Sequence, residues 1–390
     1  LAHVISDSIC MSSYKAAIQG KKHKRIPDDC DVNPVILGHE FCGELVKVGK
    51  KWESQFKAGQ KFAIQPALNY KGSLNAPGYS YQYIGGDATY IIIPNEVMEM
   101  GCLLPYDGDA YFMASLSEPV SCVIGAFHAN YHTTAGVYEH SMGITEGGKM
   151  AILAGVGPMG LAAIDYVIHC DRKPSLIVVT DIDDARLKRA SSILTVEEAA
   201  KNGITLHYVN TSGTDAVSSL MELSGGAGYN DVFVFAPVPA VIEQGDAILG
   251  HDGCLNFFAG PSKSDFYANF NFYNVHYNST HIVGTSGGNT SDMIEGLQMM
   301  SKGNLSPEIL ITHVGGLDAA LPTTLNLPKI PGGKKLIYTN ISLPLTAIAD
   351  FEELGKADPL FKELAKLVAE NNGLWSAAAE KYLLQNAKPI

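Results

Sequence analysis

The run Gly155-Val156-Gly157-Pro158-Met159-Gly160 constrains the fold more than any other feature of this chain. It follows the apolar stretch Lys149 to Ala154 and opens a helical pattern that reaches about Cys170. Glycines at this spacing between a strand and a helix serve three needs. The first allows a tight turn, the second lets the backbone approach a pyrophosphate, and the third lets the helix pack on the sheet. The pyrophosphate would rest on the helix N-terminus, where free N–H groups and the dipole favour negative charge. Strand-like Ser175 to Thr180, a charged helix from about Asp183, and strand-like Leu206 to Val209, Asp231 to Phe235 and Leu255 to Phe258 follow, with helical stretches between them. This alternation predicts an α/β region with a doubly wound parallel sheet. Asp181 closes the second strand. A carboxylate there accepts hydrogen bonds from a ribose diol and repels a 2′-phosphate, which favours NAD over NADP. The alternative reading of Asp181 is a helix N-cap or a solvated acid. Lys188 and Arg189 on the next helix either admit NADP or form a solvated face.

The flanks read differently. Residues before about 134 form short β-rich pieces broken by Gly and Pro, such as Phe41 to Val48 and Ala88 to Ile93, with a long irregular loop from Pro66 to Gly86. After His281-Ile282-Val283-Gly284 come a helix, Ser291 to Lys302, and a last strand, Lys334 to Tyr338. Phe361 to Glu370 and Ser376 to Leu384 have helical apolar spacing. At 390 residues and 46% hydrophobic content the chain favours two domains over one. We expect 1–134 with 286–342 as one domain, 135–285 as the nucleotide-binding domain, and 343–390 as a helical extension packed on the body or on a partner subunit.

A net charge of -12 argues against nucleic acid or an anionic membrane as the main partner. There is no run of 18 apolar residues, so no transmembrane helix is expected. The seven cysteines are scattered, odd in number and without a CxxC pair, which points to a reducing, cytoplasmic setting rather than a disulfide framework. The chain opens at Leu1 without an initiator Met, which leaves room for a preceding segment.

If the bound nucleotide carries hydride, something must make an alcohol oxygen anionic, and a zinc ion with about three protein ligands does this. The candidate ligands are Cys10, His39, Glu40 and Glu118, the last expected at the start of a helix. Taken singly, each has an ordinary structural explanation, since an isolated Cys is usually a small core residue and a Glu at a helix start is a dipole partner. The combination is more specific. Cys10-x-Ser12, then Gly38-His39-Glu40, then Glu118-Pro119, then the Gly-rich turn resembles the polyol-dehydrogenase branch of zinc-containing medium-chain dehydrogenases, in order from Cys10 to about Tyr338. The run Asp7 to Lys15 is most similar to the sugar-phosphate reductases of that branch, of the sorbose 1-phosphate kind.

The resemblance implies a GroES-like catalytic domain interrupted by a Rossmann domain, with the active site in the cleft between them. It implies Cys10 and His39 as zinc ligands, Glu40 as a ligand directly or during exchange, and Glu118 meeting the metal directly or through water. It makes Ser12 the hydroxyl that binds the substrate oxygen and starts a proton relay. Two positions depart from the family. Ser13 stands where an Asp that orients the zinc site is usual, and Lys15 stands at a relay position usually held by His. Lys15 would either move a proton or bind an anionic group of the substrate, and the basic run Lys21 to Arg25 either draws a phosphorylated sugar or is a solvated loop. The family's structural zinc needs four close cysteines, and residues 65–90 contain none, so one catalytic zinc is expected and no structural one. The implied activity is hydride transfer between NAD and a secondary alcohol or ketone of a small polyol or sugar phosphate, by a dimer or tetramer. The competing readings are a zinc-free reductase of the same superfamily and a non-catalytic NAD(H)-binding protein.

Overall fold

A computed structural model describes residues 1–390. The chain divides into two compact units, Leu1–Ser121 with Asn289–Ile390, and Cys122–Gly288. No helix is long and apolar enough to cross a membrane, and no disulfide joins any of the seven cysteines.

The first unit is built on an eight-stranded sheet. Its strands run in the order Thr346–Ala347, Ile311–Gly316, Lys334–Tyr338, Ala2–Ile9, Phe41–Leu45, Lys61–Ile64 and Leu103–Pro105, and Tyr90–Ile91 also pairs with Ala2–Ile9. The strand Ala2–Ile9 lies between two antiparallel neighbours, with Ile9 opposite Lys335 on one side and Asp7 opposite Phe41 on the other. Antiparallel pairing puts the C-terminal end of a strand beside the N-terminal ends of both partners. Cys10, His39-Glu40 and Lys334 are therefore brought together by register alone, although they are far apart in sequence. The stretch expected to be one strand over Ala88 to Ile93 contributes only Tyr90–Ile91, because it pairs with the first strand at just two positions, Ala2↔Ile91 and His3↔Tyr90.

A helix not expected from the sequence, Met11–Gln19, begins directly after Cys10 and carries Ser12, Ser13 and Lys15. A longer helix, Tyr111–Ala129, contains Pro119 in its interior. Glu118 lies on the second turn of this helix and not at its start. Pro119 has no N–H to give the carbonyl four residues before it. Ser115, Ser117 and Ser121 each return a hydroxyl to a carbonyl three residues earlier, those of Phe112, Ala114 and Glu118, so none of these hydroxyls takes up the Ser115 carbonyl that the proline leaves.

The tail packs into the core of the first unit. Trp375, Phe351, Phe361, Leu364 and Leu383 are buried with Phe112, Leu116, Val314 and Tyr338. Glu380, 2% exposed, caps the N-terminus of Tyr111–Ala129 from outside that helix. It accepts from Tyr111 N (2.6 Å), Phe112 N (2.8 Å) and the Tyr338 hydroxyl (2.8 Å), satisfying donors the helix itself cannot pair. Trp375 Nε1 donates to the same Tyr338 oxygen at 2.8 Å.

The second unit carries a six-stranded parallel sheet in the order Thr205–Asn210, Leu176–Asp181, Lys149–Leu153, Tyr229–Val234, Leu249–Phe257 and His281–Val283. Counted within the sheet this is 3-2-1-4-5-6, the doubly wound order with its switch point beside the first strand. A short hairpin, Tyr131–Thr134 with Val137–Met142, adds a separate two-stranded sheet.

Candidate active site and metal centre

Cys10 caps the helix that follows it, its Sγ accepting from Ser12 N at 3.5 Å. Gly38 precedes His39 with φ 89°, and a Cβ there would meet Asp7 Oδ2 and Asp87 N at 2.8 Å each. Only glycine fits that turn, and the turn aims the next two side chains inward: His39 is 5% exposed and Glu40 1%. The ligand atoms of Cys10, His39 and Glu40 all lie within 4.8 Å of one another. A thiol, an imidazole and a carboxylate are the donors zinc takes, so the residues present fit that ion. Glu118 stands outside this trio. It is close enough for its charge to act on His39, and burial, offset in part by His39, pushes its carboxyl up to about 7.

The surroundings fix each donor. His39 Nδ1 lies 3.2 Å from Ser13 Oγ and Nε2 lies 3.2 Å from the Tyr79 hydroxyl. With Nδ1 protonated the ring donates to Ser13, and Nε2 is left as the acceptor, the state a metal requires. Ser13 thus occupies, with a hydroxyl, the orienting place where a carboxylate was expected. Glu40 accepts from Lys334 Nζ at 2.5 and 2.6 Å and from the Ser8 hydroxyl. Burial alone would push Glu40 up, but Lys334 overcomes this and holds it low. Burial likewise opposes the Lys334 charge, and Glu40 overrides it. Burial, with the Glu40 charge adding to it, raises the Cys10 thiol. Ser12 lies close enough to lower both the Cys10 thiol and the Tyr79 phenol, against the burial that raises them. Lys15 is half-buried on the same helix.

Lys334 and Tyr79 are the site residues the sequence reading missed. A signal for Lys334 existed. Lys334 to Tyr338 is buried at every position, and a lysine in such a strand needs a buried anion. Tyr79 had none, since it sits in the irregular loop 66–86.

In the second unit the Gly-rich turn joins Lys149–Leu153 to Pro158–His169. A Cβ at Gly155 would meet Ile152 at 2.5 Å and one at Gly160 would meet Gly155 O at 2.1 Å, whereas one at Gly157 would approach only Arg186, at 3.5 Å. The middle glycine thus faces open space at the helix start, with Pro158 at the first helical position. Gly157, Pro158 and Met159 are half-buried there. Asp181 ends its strand 5% exposed. One carboxylate oxygen accepts from Ile182 N and Asp183 N, and the other lies 3.7 Å from Arg186. The cap of the following helix is Asp183 and not Asp181. Lys188 and Arg189 are exposed. The cation beside the turn is Arg186, which the sequence reading did not single out.

Residues 1–101 match the alcohol dehydrogenase GroES-like domain and residues 158–302 the zinc-binding dehydrogenase domain. Mannitol-1-phosphate 5-dehydrogenase of Aliivibrio fischeri is 56% identical over 98% of this chain and 90% of its own. The chain belongs to the zinc-dependent medium-chain dehydrogenase/reductase family. L-sorbose 1-phosphate reductase of Klebsiella pneumoniae, another member, is 49% identical over 100% of this chain and 92% of its own. In three dimensions the fold is that of 2R,3R-butanediol dehydrogenase from Bacillus subtilis, with TM-score 0.68 at 21% identity over 87% of this chain and 92% of that one.

Proposed function

We propose that this protein is a zinc-dependent, NAD-linked oxidoreductase that interconverts a secondary alcohol and a ketone on a polyol phosphate or sugar phosphate. The observation that carries the reading is the convergence of Cys10, His39 and Glu40 within 4.8 Å in a largely buried pocket. The identities to a mannitol 1-phosphate dehydrogenase and a sorbose 1-phosphate reductase support the substrate class. Cys10 and His39 would hold the zinc, with Glu40 as a further ligand directly or during exchange, and Glu118 as one directly or through water. Zinc bound there supplies Lewis acidity, which lowers the pKa of an alcohol oxygen and polarises a carbonyl. Ser12 would hydrogen-bond the substrate oxygen and relay its proton, accepting it as its own hydroxyl proton passes on to solvent, or to Lys15 when that amine is uncharged. The Lys334–Glu40 pair leaves the pocket without an uncompensated charge, and Ser13 fixes the His39 ring. Gly155, Gly157, Pro158, Met159 and Gly160 cradle the pyrophosphate, and Asp181 takes the adenosine ribose diol, which favours NAD. One zinc per chain is expected, because residues 65–90 offer no cysteine.

The test is turnover by the zinc-loaded protein with NAD⁺ or NADH against a panel of polyols, ketoses and their 1-phosphates, followed by absorbance of the reduced cofactor. Oxidation of a hexitol phosphate, or reduction of a ketose phosphate, that stops on chelation supports the reading. Tight nucleotide binding without turnover on any member would refute it.

A further inference from the structure

The basic run Lys21 to Arg25 does not act as one patch. Lys21, Lys22 and Lys24 are exposed, and Lys21 pairs with Asp31 at 3.3 Å. His23 and Arg25 are half-buried and turn onto the phenol ring of Tyr79. The His23 ring stacks parallel to it at 5.7 Å, and the Arg25 guanidinium carbon lies 5.3 Å from its centroid. The hydroxyl of that same ring touches His39 Nε2. A fixed positive charge therefore stands one tyrosine ring away from the metal-binding imidazole.

The placement is rigid. Ile26, next in sequence, is buried with Ala16, Ala76 and Tyr79. The Ser80 hydroxyl donates to Arg25 O at 2.7 Å and itself accepts from Ala76 N at 3.0 Å. Arg25 N donates to His23 Nδ1 at 3.3 Å, which leaves the proton of the neutral ring on Nε2, a further donor. Arg25 Nε is buried and has no hydrogen-bond acceptor, and the guanidinium enters no ion pair. A buried donor in that condition is destabilising until an acceptor reaches it. A planar fork of this kind is satisfied in both its hydrogen bonds and its charge by a phosphate oxygen pair. The charges of Lys15 and Lys24 reach the same spot, since both act on His23.

We propose that Arg25, seated on Tyr79 and assisted by His23 and Lys15, binds the phosphate monoester of the substrate. This rests on the sugar-phosphate reading above and assigns the residue that selects for it. Tyr79 then serves two ends, as a platform for the phosphate-binding cation and as the hydroxyl beside the metal-binding histidine. The phosphate and the reacting carbon are fixed from one ring.

The experiment compares wild type and Arg25→Gln as full-length zinc-loaded protein, with mannitol 1-phosphate and with unphosphorylated mannitol. The expected result is a rise in KM for the phosphate ester of about 30- to 100-fold, the value of a lost charge-assisted pair. The kcat for the ester should stay within about threefold, and kcat/KM for the unphosphorylated polyol should fall far less than kcat/KM for the ester. Calorimetric titration of the metal-free protein with mannitol 1-phosphate should show the same loss of affinity without any turnover. If Arg25→Gln melts early, Arg25→Lys carries the test: it keeps the charge but not the fork, and its KM for the ester should rise by about tenfold. An unchanged preference for the ester in a folded variant overturns the Arg25 assignment and leaves the substrate reading standing. A wild type with no preference for the ester overturns both.

Discussion

Lys334→Met is the most informative single perturbation of the site. Glu40 is 1% exposed and receives two hydrogen bonds from Lys334 Nζ, at 2.5 and 2.6 Å. Its other donor is the Ser8 hydroxyl. Removing the ammonium leaves a carboxylate in a low-dielectric pocket with one neutral partner. Breaking a buried pair in this way costs about 3–5 kcal/mol, and the metal-free variant should be destabilised by that amount in urea denaturation. The zinc-loaded protein should behave differently. The Glu40 oxygen lies within 4.8 Å of the Cys10 and His39 donors, so a divalent cation there supplies the missing positive charge. The penalty should fall by at least half on adding zinc. By linkage the variant then binds zinc more tightly than wild type. Lys334→Met with Glu40→Gln should recover most of the metal-free loss, because a neutral amide has less to gain from the ammonium. A penalty below about 1 kcal/mol without metal, or an equal penalty with and without it, would refute the claim that Lys334 and the metal compete for one carboxylate.

Other residues give sharper local tests. Ser13→Ala removes the partner of His39 Nδ1 and should weaken zinc affinity by about tenfold or more in chelator competition, with the fold intact by circular dichroism. Asp181→Ala should weaken NAD binding more than NADP binding in fluorescence titration, whereas Arg186→Ala should weaken NADP more. An unchanged preference in either would count against the ribose assignment. Glu380→Gln leaves one of the Tyr111 and Phe112 N–H groups without an acceptor and should cost about 1–3 kcal/mol at neutral pH. Burial pushes the Glu380 carboxyl up to about 7, against about 4.3 in an unfolded chain. Ionisation is therefore easier unfolded. Its contribution to stability is full below about pH 4.3 and is lost as the pH rises toward 7. The variant should show a flatter stability profile over that window, and an unchanged slope would refute the burial argument.

The parallel-sheet half was legible because its signals are local. A strand, a glycine turn and a helix lie within twenty-odd residues, and the acid ending the next strand follows by the same βα repeat. The convergence of Cys10, His39 and Glu40 was legible only as a combination of motifs, because antiparallel register, not sequence proximity, brings Cys10 beside Glu40 and Lys334. Lys334 escaped notice because a strand pattern does not reveal which anion faces a lysine. The Glu118 helix was placed too late because Pro119 reads as a first-turn residue, whereas the helix runs from Tyr111 to Ala129 with the proline inside it. Tyr79 lay in a loop with no period, so no sequence rule could assign its hydroxyl to His39. The tail's apolar spacing gave its helices, but the Glu380 cap on a helix some 270 positions earlier is a tertiary fact alone.

X-ray absorption at the zinc edge tests the central assignment most directly. The purified protein should hold one zinc per chain with a single sulfur neighbour at about 2.3 Å and nitrogen or oxygen neighbours at about 2.0–2.2 Å, and Cys10→Ala should lose the sulfur shell. A zinc shell without sulfur, one with several sulfurs, or a sulfur signal that survives Cys10→Ala would contradict the account.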